Sequence, residues 1–259
     1  MLSNISYYRF FDTHCHLNLD PLNTNIVAIL KECQEKKVFV NCVGADFNSS
    51  IEAIKIARQY PQQTICSVGI HPEYVDEINK IDELEEHIKT NIEYIFGLGE
   101  CGLDYHIENY DKQKQINLFK LQIELAIKYK LPLIVHCRDA YEDLYEILKE
   151  YNSKLNKILI HCYDTDEHWT EKFNEFGCYY AIGGKISYPK AEYLHAAVKS
   201  MPINKIVYET DAPWLSPVPF RKEVNTPVNV IIVNEIVNKI LNKNIGDTIF
   251  INSVEFFQK

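Results

Sequence analysis

Two histidines separated by one residue, His14 and His16 in FDTHCHL, end an apolar run near the start of the chain. Side chains two apart on an extended strand point to the same side. Both imidazoles can therefore reach one cation, while Cys15 between them points the other way. The same kind of donor recurs further along: Glu100 in GLGECGLDYH, His136 in LPLIVHC, His161 in KILIHCY and Asp211 in YETDAPWLSP. Taken singly, each reads equally well as a core residue, a helix cap or a lysine partner. Taken together, imidazoles and carboxylates of this number suit a divalent metal site. Glu100 lies between Gly99 and Gly102, which let backbone approach closely, and its carboxylate can bridge two ions. Asp211, placed near a metal, can hold and deprotonate a water, working as ligand and general base.

Something must hold these donors at one place. Eight short apolar runs recur along the chain: RFFDTH, VFVNCVG, TICSVGI, EYIFGLGE, LPLIVHC, KILIHCY, CYYAIGG and KIVYETD. Most are continuously hydrophobic, as strands covered on both faces are. Helical periods lie between them, clearest in DKQKQINLFKLQIELAIKYK, where Ile116, Phe119, Ile123 and Ile127 form one stripe. No Pro/Gly/Ser-rich linker interrupts the alternation, so one domain is expected over residues 1–259. Eight such units match an α/β fold of the (β/α)8 TIM barrel type, with a doubly wound open sheet as the alternative. The last segment, IGDTIFINSVEFFQK, reads as one more helix closing the end. On a barrel, His14, His16, Glu100, His136, His161 and Asp211 all fall at the C-terminal ends of strands, the rim where barrel enzymes build their sites. Cys15, Cys101, Cys137 and Cys162 each adjoin one of them. Alternation turns these cysteines toward the helix layer, where Cys packs as a small apolar residue.

A chain of 259 residues, 46% hydrophobic, can bury a large core. Its net charge of −9 argues against broad duplex binding through a basic face, and leaves open a phosphate substrate held by metal. The eight cysteines are scattered without a CxxC pair, the pattern of a reducing compartment. The opening MLSNISYYR lacks the apolar core of a leader, and no run approaches the roughly 18 residues of a membrane span. A cytoplasmic protein is the expectation, the nucleus not excluded, with no membrane association and no obligate protein partner.

The motifs DTHCHL, GIHPEY, GLGECGLDY, LPLIVHCRDA, ILIHCY and YETDAPWLSPVPFR follow one another as they do in the TatD-like deoxyribonucleases, metal-dependent barrels related to the amidohydrolases. The chain resembles that family from about Phe11 to Pro227. The resemblance implies hydrolysis of DNA phosphodiester bonds, commonly from the 3′ end, with two divalent metal ions per chain (Zn, Mg or Mn). It implies a first metal site of His14, His16 and Asp211, with Glu100 bridging to a second completed by His136 and His161. DNA, as a single strand or a strand end, is the implied partner. His71, Arg138 and Arg221 then suit phosphate handling, Arg through its fork of donors, and Asp104 and Tyr105 suit orienting ligands or substrate. Two places depart from the family pattern: Lys222 and Glu223 stand where many members carry Gly-Lys, and GGKISYP replaces a Ser-Gly pattern. The rival reading is an amidohydrolase-like hydrolase of a small amide, lactone or phosphoester, because related barrels use the same cage.

Overall fold

The computed structural model describes residues 2–259, with side chains from residue 5 onward. Each apolar run becomes a strand: β1 (Phe10–Cys15), β2 (Val38–Val43), β3 (Thr64–Val68), β4 (Ile95–Asp104), β5 (Leu133–Arg138), β6 (Ile158–Ile160), β7 (Tyr179–Ile182) and β8 (Ile206–Tyr208). They form one parallel sheet in sequence order. Helices α1 (Ile26–Lys36), α2 (Phe47–Gln59), α3 (Ile81–Asn91), α4 (Lys112–Tyr129), α5 (Tyr141–Tyr151), α6 (Glu167–Asn174), α7 (Glu192–Ser200) and α8 (Val230–Leu241) connect successive strands or close the turn after β8, and α9 (Gly246–Phe257) follows. The architecture is the (β/α)8 barrel; the open doubly wound sheet is not formed.

Alternation sorts the strand residues into two cores. Outward positions such as Val38, Val40, Cys42, Cys66, Val68, Leu133 and Val135 pack against the helix layer. Inward positions of every strand supply the barrel floor: Phe11, Phe39, Ile65, Phe96, Ile134, Leu159, Val207, and from β7 both Tyr179 and Ala181. Phe256 and Phe257 of α9 join that cluster, and Phe257 stacks on Phe11 with centroids 5.3 Å apart. Burying each such side chain stabilises by about 1.5–3 kcal/mol, and the bottom end is sealed. Chemistry is left to the other end.

Two irregularities aim the donors inward. Three residues of β1 span the interval from Asp12 to Cys15 where β2 advances only from Val40 to Cys42, a bulge that lets Phe11 and His14 face the interior despite their odd spacing. A second shift lies between Leu98 and Cys101 of β4, at Glu100. Here Gly99 and Gly102 have φ of +143° and +145°, and a Cβ would lie 2.4 Å from the Ile134 carbonyl oxygen and 2.0 Å from that of His136. Only glycine fits either position.

β1 and β8 meet across a seam. The backbone supplies the isolated bridge Cys15–Ala212, with Asp211 N–H donating to the His14 carbonyl at 2.9 Å and His16 N–H to that of Ala212 at 2.7 Å. Side chains do the rest: Thr13 Oγ1 donates to the Tyr208 carbonyl at 2.9 Å. Buried Asp12 accepts from Thr210 N–H at 2.8 Å and pairs with Thr210 Oγ1 at 2.6 Å.

Two expectations need correction. The buried face of α4 is centred on Leu118, Phe119, Gln122, Ile123 and Ala126, so Ile116 and Ile127 lie at its margin. The polar Gln115 and Gln122 were outside the apolar stripe yet are buried, because each replaces a strand neighbour: Gln122 exchanges two hydrogen bonds of 2.8 Å with the backbone of Ile70, and Gln115 does likewise with Asp104. Cys162 is the second correction. Cys15, Cys101 and Cys137 do pack into the core with the helix layer, but β6 ends at Ile160 and Cys162 turns at φ +45°, which leaves it half-buried outside that core, on the wall of a rim cavity beside His161 that Cys137 also touches.

Candidate metal centre

Donors from five strand ends, those of β1, β4, β5, β6 and β8, gather around Glu100. Its Oε2 lies 3.5 Å from His14 Nε2 and 3.9 Å from His16 Nε2, and its Oε1 lies 2.9 Å from His136 Nδ1 and 3.3 Å from His161 Nε2. One carboxylate thus faces two histidine pairs, one with each oxygen. Asp211 Oδ1 sits 3.4 Å from His16 Nε2 and 3.9 Å from His161 Nε2. His14 and His16 point their Nε2 atoms at one another across 3.3 Å, and His14 stacks on His161 at 3.6 Å. Burial opposes charge on Glu100, but the field of His161 and His71 and the bonds to His136 and His14 hold its pKa well below the usual carboxylate range. In the same way Asp211 is held low, against burial, by its bond to His16.

The donor set fits divalent cations. His16 donates from Nδ1 to the Val43 carbonyl at 2.9 Å, which leaves its Nε2 lone pair facing the cluster. His161 contacts Glu209 Oε2 through Nδ1 at 2.8 Å, and in the tautomer with the proton on Nδ1 its Nε2 lone pair also faces the cluster. Such outer partners set which nitrogen is free for a metal. Three groups bring their ligand atoms within 4.8 Å of one another: His14, His16 and Asp211; His14, Glu100 and His161; His71, Glu100 and His136. A fourth, His161 with Cys162 and Glu209, comes equally close. There Glu209 is already engaged, accepting from Cys162 N–H at 2.7 Å as well as contacting His161.

The remaining expected residues separate into distinct places. His136 lies between two carboxylates, Nδ1 on Glu100 and Nε2 on Asp104 at 2.9 Å each. Burial works against its charge, but Asp104 and Glu100 outweigh it and raise its pKa to about 9. His71 stands beyond the end of β3 and accepts from Glu73 N–H through Nδ1 at 3.1 Å. Burial and the neighbouring His136 push its pKa down to about 3, so the neutral ring carries its proton on Nε2, aimed at Glu100. Arg138 lines the rim cavity that also holds His136 and His161, and it makes no ion pair among the described residues. Arg221 lies further out, its guanidinium 4.2 Å above the Tyr188 ring. Tyr105 turns away from the cluster: its hydroxyl donates to Asp143 at 2.7 Å and its ring stacks on Tyr110.

Sequence reasoning missed two residues that hold the others in place. Glu209 is fully buried under His161, and its position two residues before Asp211 was the available signal. Asn225 is buried in the loop after β8 and donates to the carbonyls of Thr210 and Trp214 at 2.8 and 2.7 Å, pinning the turn that carries Asp211. Burial pushes the pKa of Glu209 up to about 8, and a cation on His161 Nε2 favours the form with the proton on Nδ1 and Glu209 ionised. Glu209→Gln sets an N–H against one of two donors, His161 Nδ1–H or Cys162 N–H. Metal affinity is expected to fall about 10- to 100-fold, read by calorimetric titration of metal-stripped protein with Zn or Mn. An unaltered affinity would overturn the role of Glu209 in positioning His161.

A family model described as TatD related DNase matches residues 11–258. A Mycoplasma genitalium protein described as an uncharacterized metal-dependent hydrolase is 32% identical over 234 residues, covering 86% of this chain and 88% of that protein. YabD of Bacillus subtilis, described in the same words, is 33% identical over 228 residues, covering 87% and 88%. Among solved structures, YjjV, a TatD homologue from Escherichia coli, superposes with a TM-score of 0.91 at 24% identity, over 97% of this chain and 98% of that one.

Proposed function

Since the chain belongs to the TatD-related DNase family, we propose that it is a divalent-metal-dependent hydrolase that cuts DNA phosphodiester bonds, removing nucleotides from the 3′ end of a single strand. The observation that carries this reading is Glu100, whose two oxygens address two separate histidine pairs, the arrangement that lets one carboxylate serve two cations. His14, His16 and Asp211 would hold one, and His136 and His161 the other, with Glu100 shared. Two bound cations supply a strong nucleophile from water near neutral pH and offset charge on the phosphoryl oxygens.

The chain's own residues do the rest. Asp211 Oδ1, at the mouth of the cluster and ionised, accepts the proton of the attacking water. Neutral His71 offers its Nε2–H to a phosphate oxygen, and Arg138 grips phosphate from the rim. Asp104 orients His136, as Glu209 orients His161. The overall charge of −9 suits a strand end drawn into a pocket better than a duplex wrapped by a face. No helix of the described residues is long and apolar enough to cross a membrane.

The test is hydrolysis of 3′-labelled and 5′-labelled single-stranded DNA by metal-stripped enzyme before and after Mg, Mn, Zn or Co is restored. The expected result is immediate release of the 3′ label and a descending ladder from the 5′ label, only with metal. Circular DNA cut as fast as linear would overturn the strand-end reading. Inert DNA with every metal, beside turnover of a small phosphoester or lactone, would replace it with the small-molecule hydrolase.

A further inference from the structure

The departure GGKISYP puts a lysine where the strand-end cavity opens outward. Two cavities meet at the rim. The inner, about 280 Å³, is lined by His136, His161 and Arg138; the outer, about 470 Å³, by Tyr188, Lys190, Tyr193 and Arg221. Asp164 and Lys185 line both, so their pair is the partition between them. Lys185 Nζ donates to Asp164 Oδ2 at 2.7 Å, and the Tyr193 hydroxyl donates to the other Asp164 oxygen. Asp164 occupies one of three ammonium donors and fixes where the remaining two point. Arg221 and Lys190 make no ion pair among the described residues, and Arg221 rests on Tyr188, whose hydroxyl is held by the Ser216 carbonyl at 3.2 Å. In a chain of net charge −9, this outer cavity carries three cations against one carboxylate. Tyr193 is 43% exposed beside them.

We propose that the outer cavity is a second nucleotide subsite, in which Lys185 and Arg221 hold the backbone phosphate next to the one being hydrolysed and Tyr193 presents its ring to the adjoining base. The inference rests on the nuclease reading above. Cations that track a backbone, interleaved with aromatic faces that stack bases without regard to sequence, are the means by which single strands are held. The shared wall makes the two cavities consecutive, so a strand whose scissile phosphate lies in the inner one passes Lys185 to leave the barrel. The subsite would make hydrolysis depend on substrate length.

The experiment compares kcat and KM for bis(p-nitrophenyl) phosphate, a dinucleotide and a tetranucleotide, using the metal-loaded enzyme. Wild-type kcat/KM is expected to climb with length. In Lys185→Met, which keeps the packed stem and removes the charge, that climb should shrink about 10- to 100-fold, the worth of one charge-assisted hydrogen bond, and chiefly through KM. Lys185→Arg should recover part of it. Tyr193→Ala, which leaves Lys185 in place, should shrink the climb about tenfold. A wild type without length dependence, or Lys185→Met losing equally on all three substrates, overturns the subsite and leaves the nuclease reading standing. A wild type that cleaves the chromogenic ester and neither oligonucleotide overturns the nuclease reading, and the subsite with it.

Discussion

Glu100→Gln is expected to abolish hydrolysis while leaving the barrel folded. The substitution keeps the shape of a buried side chain and the two glycines that make room for it, so circular dichroism and the unfolding midpoint should show the same fold. What changes is the donor chemistry. The carboxylate turns Oε2 toward His14 and His16 and Oε1 toward His136 and His161, whereas an amide has a single oxygen and must present N–H to one pair. In the proposed two-ion arrangement, a cation on that side would lose its anionic ligand, and the other would lose its partner. Loss of an outer partner alone costs roughly 10- to 100-fold, and loss of a shared ligand should cost well beyond that, with metal content by mass spectrometry falling below two equivalents. Retention of activity within about tenfold would mean that Glu100 serves the fold and that the two-ion arrangement is wrong.

Which parts of this site could be read in advance follows from how local their causes are. Strand positions were legible because runs such as LPLIVHC are apolar throughout, and a strand covered on both faces writes that pattern into consecutive residues. Residue type and strand end together picked out His14, His16, Glu100, His136, His161 and Asp211, which the structure does bring to one cluster. The bulges were not legible: simple alternation from Phe11 turns His14 outward, and only the shifted register with β2 lets both face in. Nor were the residues that hold the donors. Gln122 lies 52 residues from Ile70 and Glu209 lies 48 from His161. Their polarity reads as exposure until the partner is in view. Cys162 was misplaced for the same reason, since nothing in KILIHCY announces that the strand stops before the histidine.

Asp12 ties the stability of the fold to pH. It is fully buried at the β1–β8 seam, and burial raises its pKa well above the usual carboxylate range, despite bonds from Thr210 and His14 that favour the ionised form. A carboxyl whose folded pKa lies above its unfolded one contributes stability that is full below the unfolded value and is lost as pH rises toward the folded value. Unfolding then releases the proton, and the loss amounts to about 1.4 kcal/mol for each pH unit inside that window. Asp12→Asn keeps an acceptor for Thr210 N–H and sets an amide against Thr210 Oγ1, yet it cannot titrate. Denaturant unfolding of wild type and Asp12→Asn from pH 5 upward should therefore show the wild type losing ground to the variant as pH rises, with groups common to both cancelling in the difference. Asp12→Ala leaves Thr210 N–H buried without a partner and should be destabilised at every pH, by about 1–3 kcal/mol or more. A wild type that gains on Asp12→Asn with rising pH would mean that Asp12 is ionised in the fold, and that the seam is held by a charge.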